Sequence, residues 1–176
     1  MALRPVARDM NNFWTPQYIF EYGEMLAGEK FQLDVAADQE NTKCENYYTK
    51  EDNALFNKWQ GVNWCNPPYS NIEMFVDKAI FEAQDGNMTV MLLPVRTSNK
   101  YWKKILANAS IVFIGGRIKF EGHNITKGGC SAESSAYCIF YYETLDIGMA
   151  SHADVTWIHK KEIKEKVEEA KQWREE

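Results

Sequence analysis

The sequence lacks several features that would assign it to a special class of protein. It contains no run of about 18 consecutive apolar residues, so it offers no membrane-spanning helix. Its first twelve residues lack the apolar segment of a signal peptide. Its four cysteines form no CxxC pair, and its three histidines show no zinc-type spacing to them. We therefore expect a cytoplasmic protein with reduced thiols and no metal site.

The length and composition indicate one folded domain. The chain has 176 residues, of which 45% are hydrophobic and 26% charged, and no repeat or low-complexity stretch divides it. We expect an N-terminal arm over residues 1–12 and a single domain over 13–176, with a C-terminal helix at 160–176. The net charge of −5 argues mildly against a uniformly basic surface, yet residues 96–127 carry seven Lys and Arg against one Glu.

Helix and strand signals alternate along the chain. Thr15 before Pro16 predicts a helix N-terminus, and Gly28 predicts that helix's end. Ser70 and Glu73 form a capping-box pattern at the start of a second helix, which Gly86 ends. The remaining predicted elements are strands at 31–37, 62–65, 90–93, 111–114, 117–120 and 136–142, and helices at 98–107 and 160–176. The pattern predicts an α/β three-layer sandwich, a mostly parallel sheet with helices on both faces.

The most informative motif is Asn66-Pro67-Pro68-Tyr69, between a predicted strand and a predicted helix. Two prolines fix their own φ angles and remove two N–H donors, so the turn presents an amide, bare carbonyls and a phenol ring. An amide oxygen and a carbonyl oxygen held together can accept both hydrogens of an exocyclic amino group. Tyr69 would stack on the same flat substrate. The plainer interpretation is a proline-rich turn with a core tyrosine.

An acidic strand end lies upstream of this turn. Asp34 suits a ligand that carries an ammonium, a sulfonium and ribose hydroxyls, because a carboxylate accepts hydrogen bonds and offsets positive charge. Ala36 and Ala37 would permit close backbone approach, and Asp52 offers a second acidic contact. Each signal alone is weak, since strands often end in Asp and Asp52 also suits a solvated turn. Parallel sheets bind ligands at this edge, which favours a site there.

The order of motifs resembles that of the phage-type (Dam-like) DNA N6-adenine methyltransferase family. The matching segments are Trp14 to Pro16, Leu33 to Asp38, Tyr47 to Leu55, Asn66 to Ser70, Leu92 to Thr97 and Gly115 to Phe120. The resemblance implies a class I S-adenosylmethionine-dependent methyltransferase fold. It also implies site-specific methylation of adenine N6 in double-stranded DNA, inside a bacterial host that carries a phage or prophage, with restriction–modification as the related setting.

The resemblance assigns roles to residues that match its motifs. Asn66, Pro67, Pro68 and Tyr69 would form the catalytic motif. The cofactor contacts would come from Thr15, Pro16, Asp34, Ala36 and Asp52. Ala36 and Ala37 stand where the wider superfamily has glycines. Because N6 is inaccessible in a stacked helix, we expect the target base to be extruded from the duplex.

The DNA-contacting residues are the least specific prediction. Arg96, Lys100, Arg117 and Lys119 are the candidates within the basic segment, and each would otherwise be an ordinary surface cation. The alternatives for function are methylation of cytosine N4, RNA or a protein glutamine, a catalytically silent DNA-binding module, or a structural phage protein. The chain has little room for a recognition domain, so we expect short or relaxed specificity, as a monomer or homodimer.

Overall fold

The chain folds around a seven-stranded sheet, in a computed structural model that describes residues 14–122, 130–131, 134–142 and 154–175. The strands of this sheet are Leu33–Asp34 (β1), Asn46–Tyr47 (β2), Val62–Cys65 (β3), Met88–Pro94 (β4), Ser110–Gly115 (β5), Ser135–Phe140 (β8) and Val155–His159 (β9). Lys119–Phe120 (β6) and Cys130–Ser131 (β7) pair separately as a ribbon. The order across the sheet is β2-β1-β3-β4-β8-β5-β9. Only β8 runs antiparallel to its neighbours, so the sheet is mostly parallel, as predicted.

Four helices in the described part of the chain cover both faces of the sheet. They are Gln17–Ala27 (α1), Ile72–Gln84 (α2), Tyr101–Asn108 (α3) and Lys160–Glu175 (α4). Successive side chains of the central strand β4 point to opposite faces. Met91 and Leu93 pack in the core layer of α2 and α3, whereas Val90 and Leu92 pack in that of α1 and α4. The predicted α/β three-layer sandwich is confirmed.

The predicted helix caps need correction. α1 begins at Gln17 with Pro16 as its N-cap residue, so the Thr15 hydroxyl does not cap it. α2 begins at Ile72 after Asn71, without a side-chain cap, and the Ser70–Glu73 capping box does not form. In each case the turn before the helix extends one residue further than the motif predicts. Gly28 ends α1 in the left-handed conformation with φ 75°, which confirms that stop signal.

The predicted strands differ from the observed ones mainly at the sheet margins. The strand predicted at 31–37 is paired only over Leu33–Asp34, and the one at 117–120 only over Lys119–Phe120. The edge strands β2 and β9 were not predicted, because β2 has two residues and Ile158 is the one buried residue of β9. α3 begins three residues later than predicted. The predicted arm at 1–12 lies outside the described residues, and among the described helices none is long and apolar enough to cross a membrane.

The carboxyl ends of the parallel strands place the motif residues on one edge of the sheet. β1 ends at Asp34, β3 ends immediately before Asn66, and β4 ends shortly before Arg96. β1, β3 and β4 are neighbours, so these three residues follow adjacent strands. The topology therefore brings together segments that are far apart in sequence.

Candidate functional site

A small cleft opens at the carboxyl ends of β1 and β3. It is lined by Trp14, Thr15, Asp34, Ala36, Asn41, Lys43, Trp64 and Asn66. Three of the predicted cofactor residues thus lie beside the first residue of the predicted catalytic motif. A larger groove between α1 and α4 contains none of the predicted site residues.

A hydrogen bond joins the two ends of the site. The Asn66 amide donates from Nδ2 to the Thr15 Oγ1 at 3.2 Å, across 51 positions of sequence. Thr15 is buried, and its neighbour Trp14 exchanges two backbone hydrogen bonds with Glu121, of 2.9 and 3.0 Å. The segment before α1 is therefore held on both sides. Because Nδ2 is directed at Thr15, Oδ1 is the amide atom that can accept a hydrogen from a substrate amine.

The two prolines have different environments. Pro67 is buried and Pro68 is half-buried, and the described residues contain no cis peptide bond. The Pro68 carbonyl accepts a hydrogen bond from the Asn71 N–H at 2.9 Å, which closes the turn into α2. Tyr69 is half-buried against the core layer of α2 and α3. The turn is thus rigid, and Pro68 already uses its carbonyl oxygen.

Asp34 is a carboxyl group taken almost completely out of water. It is 4% exposed, and burial raises its pKa from 3.8 to about 7. Backbone hydrogen bonds from Ala36 and Lys43 and the charge of Lys43 act in the opposite direction, whereas Asp38 adds to the increase. The Ala36 N–H lies 3.4 Å from Asp34 Oδ1. A buried carboxylate with this little compensation is an environment that a cation would stabilise.

This pKa shift predicts how stability depends on pH. Below about pH 4 the carboxyl is protonated in both states; as pH rises towards 7 the unfolded chain loses its proton first, so stability falls. A shift of about three units corresponds to a cost on the order of 4 kcal/mol, fully incurred above about pH 7. We expect the free energy of unfolding of Asp34→Asn, relative to that of the unmodified protein, to increase by roughly 2–3 kcal/mol between pH 5 and pH 8. Urea unfolding at both pH values measures this difference. If the two proteins lost stability in parallel between these pH values, the buried carboxyl of Asp34 would not be the cause.

Asp52 lies outside the cleft lining. Its Oδ2 accepts hydrogen bonds from the Thr49 N–H at 2.8 Å and the Thr49 hydroxyl at 2.7 Å, and these bonds lower its pKa. It is exposed, in the turn that follows β2. Sequence reasoning missed Asn41 and Lys43, which line the cleft. Nothing in their local pattern marks them, because a loop brings them to Asp34 only in the folded chain.

The predicted DNA-contacting residues have unequal surroundings. The Arg96 guanidinium lies over the Tyr69 ring, 5.3 Å from its centroid, and Lys100, Arg117 and Lys119 are exposed. The basic segment is not uniformly available, however. Lys104, within the same segment, pairs with Asp77 at 2.7 Å and Glu73 at 3.1 Å. In the part of the chain that the structure describes, no group of three or more His, Cys, Asp or Glu residues could hold a metal ion.

The mostly parallel seven-stranded sheet, with helices on both faces and a cleft at the carboxyl ends of its strands, defines the class of protein as an α/β three-layer sandwich. Within that class the chain matches the family model described as DNA N-6-adenine-methyltransferase (Dam) over residues 5–170. It belongs to that family.

Two phage proteins illustrate the relationship. The chain is 43% identical over 116 residues to the DNA N-6-adenine-methyltransferase of Haemophilus phage HP1, a match that covers 64% of this chain and 67% of the relative. It is 39% identical over 105 residues to the protein of the same name from Escherichia phage T1, which covers 57% of this chain and 43% of the relative. The chain therefore spans less than half of the T1 protein. A solved structure from Listeria monocytogenes is assigned to the class I S-adenosylmethionine-dependent methyltransferases. Its alignment covers 80% of this chain and 53% of the Listeria chain. That alignment has 13% identity and a TM-score of 0.44.

Proposed function

We propose that this protein transfers a methyl group from S-adenosylmethionine to N6 of adenine in double-stranded DNA. The observation that carries the proposal is the cleft in which Asn66 of the Asn-Pro-Pro-Tyr turn lies beside the buried Asp34. One group can orient an amine, and the other can stabilise a cation. The family membership supports the same reaction, and we place it in the cytoplasm of a bacterial host.

The residues of the cleft fit the proposed cofactor. When bound, S-adenosylmethionine supplies an electrophilic methyl group on a positively charged sulfur. Asp34 would bind its cationic and hydrogen-bond-donating groups, because the buried carboxylate is poorly compensated in the protein itself. Thr15, Pro16 and Ala36 would contact it from the segment before α1 and the turn after β1. We propose Asp52 for a ribose hydroxyl, since carboxylates accept two hydrogen bonds side by side.

The Asp34 pKa leads to a prediction for cofactor binding. A cation binds the ionised carboxylate better than the neutral acid, so affinity should increase as pH rises through about 7. We expect the Kd for S-adenosylmethionine to fall up to about tenfold between pH 6 and pH 8. In Asp34→Asn the Kd at pH 8 should be higher than in the unmodified protein, and it should no longer change with pH. Calorimetry at the two pH values tests both statements, and equal pH dependence in the two proteins would contradict the role of Asp34.

Asn66 and Pro67 would hold the reacting amine. The adenine amino group is a poor nucleophile, because its lone pair is delocalised into the ring. Asn66 Oδ1 and the Pro67 carbonyl would each accept one N6 hydrogen and so favour a pyramidal nitrogen that faces the methyl group. Thr15 fits this role because it binds the other end of the Asn66 amide. The proton released from N6 would pass to solvent.

For the proposed reaction, the target adenine of the DNA must reach the edge of the cleft. We propose that the base is extruded from the duplex and stacks on Tyr69, because N6 cannot reach Asn66 from within a stacked pair. Arg96, Lys100, Arg117 and Lys119 would contact phosphates, which carry most of the affinity of such complexes. A monomer with these contacts reads few bases, so we propose short or relaxed specificity, which a homodimer would extend.

One assay tests the proposed reaction. The purified protein is incubated with tritiated S-adenosylmethionine and with DNA, RNA or protein, and the labelled DNA is hydrolysed to nucleosides. We expect label in N6-methyladenine alone, and sequencing of DNA from a methylation-deficient host that expresses the protein would define the site. Label in N4-methylcytosine, RNA or protein would replace the proposal by one of those reactions. Failure to bind S-adenosylmethionine would indicate a silent DNA-binding module.

A further inference from the structure

We propose that Arg96 occupies, in the free protein, the position on the Tyr69 ring that the extruded adenine takes in the complex. When the base arrives, the guanidinium moves from the ring to a phosphate of the DNA. Arg96 is then a positioning residue that exchanges partners during base extrusion. This inference rests on the proposed function and adds to it a specific coupling between stacking and phosphate binding.

The geometry of Tyr69 leaves little room for an adenine while Arg96 is in place. The ring is half-buried and packs against the core layer of α2 and α3. The guanidinium carbon lies 5.3 Å from the ring centroid, the distance of a cation–π contact. A base and the guanidinium therefore compete for the ring surface that the core does not cover.

The main chain around Arg96 is held, so the exchange must be a side-chain movement. The Val95 N–H donates to the Ser134 carbonyl at 2.8 Å, which ties the end of β4 to the residue before β8. The Arg96 N–H donates to the Pro94 carbonyl, and the Asn99 N–H donates to the Arg96 carbonyl, each at 2.9 Å. These bonds fix where the arginine side chain starts, so a change of partner would take place by rotation about its four side-chain bonds.

The chemistry of the guanidinium suits both of its proposed partners. It is planar and weakly hydrated, so it stacks on an aromatic ring, and its donors also match two phosphate oxygens. Adenine is neutral and offers a larger aromatic surface to the ring. Once displaced, the cation would lie close to the phosphates that flank the extruded nucleotide. In the absence of DNA, the Arg96 guanidinium lies over the Tyr69 ring.

The salt dependence of DNA binding tests the exchange. Each phosphate contact contributes about 0.9 to the slope of log K against log salt concentration. The probes are a labelled duplex with adenine at the methylated position and the same duplex with an abasic site there. On the adenine duplex we expect the slope of Arg96→Met to be shallower than that of the unmodified protein by about 0.9. On the abasic duplex no base displaces Arg96, so the two slopes should agree.

The other outcomes are equally clear. Equal slopes on both duplexes would show that Arg96 never leaves Tyr69, and a difference of the same size on both would show that it binds phosphate regardless of the base. Either result overturns the exchange. Lys103→Met, at an exposed lysine of α3, is the control, and any effect it has should be the same on both duplexes. Methylation of the adenine duplex is measured in parallel. If the unmodified protein transfers no methyl group, the proposed function itself is wrong, and the exchange with it.

Discussion

Replacing Asn66 by alanine is expected to lower turnover at least about a hundredfold while the Kd for S-adenosylmethionine stays nearly unchanged. The Asn66 amide donates to Thr15, and in the proposed reaction its oxygen would accept a hydrogen of the substrate amine. That interaction would orient the nitrogen lone pair and would be needed most when the methyl group is transferred. Alanine removes it without changing the charge of the cleft. Single-turnover methylation and calorimetry, performed on the same preparation, measure the two quantities.

Asn71→Ala provides a matched control for this prediction. Asn71 lies in the same turn, one position before α2, and its side chain does not cap the helix. Its replacement should leave turnover within a few-fold of the unmodified protein. If Asn66→Ala were as active as Asn71→Ala, the proposed catalytic role of the Asn66 amide would be wrong. If both variants lost cofactor binding, the turn would be needed to build the cleft, and the turnover data would not support a role for Asn66 in orienting the amine.

Replacing Tyr69 by alanine is expected to lower the rate of methylation of duplex DNA about 5- to 150-fold. This loss corresponds to on the order of 1–3 kcal/mol of stacking free energy. The reason is the loss of the ring on which the extruded base would stack in the proposed complex. A phenylalanine retains that ring, so Tyr69→Phe should keep most of the activity. Single-turnover methylation of a duplex that carries one target adenine measures the loss in both variants.

The comparison of the two Tyr69 variants separates stacking from packing. Tyr69 also contacts the core, so alanine could act by loosening the fold. Urea unfolding of both variants measures that contribution, and the activity loss should exceed what the fraction of unfolded protein explains. Equal loss in Tyr69→Phe and Tyr69→Ala would instead assign the effect to the hydroxyl group and contradict stacking as the role of the ring.

The sequence predicts those parts of the fold that depend on local pattern. The apolar spacing of α2 and the unbroken apolar run of β4 are patterns among neighbouring residues, and both elements form where predicted. β9 has no such local pattern. Its residues are mostly exposed, and it joins the sheet because β5 offers an unpaired edge over Ile111–Gly115. Helix caps were predicted less well, because the hydroxyl of Thr15 has a partner from another part of the chain.

The candidate site divides in the same way. Asn66 and Asp34 were identifiable because a rigid turn and a strand end are local features, and the sheet topology brings them into one cleft. Lys43 reaches Asp34 through an irregular loop, and the contact of Arg96 with Tyr69 joins the ends of two different strands. The spacing of residues along the sequence does not predict such contacts. Residues that tune a site, unlike those that compose its motif, have to be read from tertiary structure.

The attachment of Trp14 to Glu121 has a consequence for how the protein is made. The segment that carries Thr15 is synthesised before its backbone partner Glu121, which follows Trp14 by more than a hundred residues. The two backbone hydrogen bonds between Trp14 and Glu121 therefore cannot form until Glu121 has been synthesised. Long-range contacts of this kind form late in folding. We therefore expect a chain that stops before Glu121 to lack the contact that holds the segment of Thr15, the hydrogen-bond partner of Asn66.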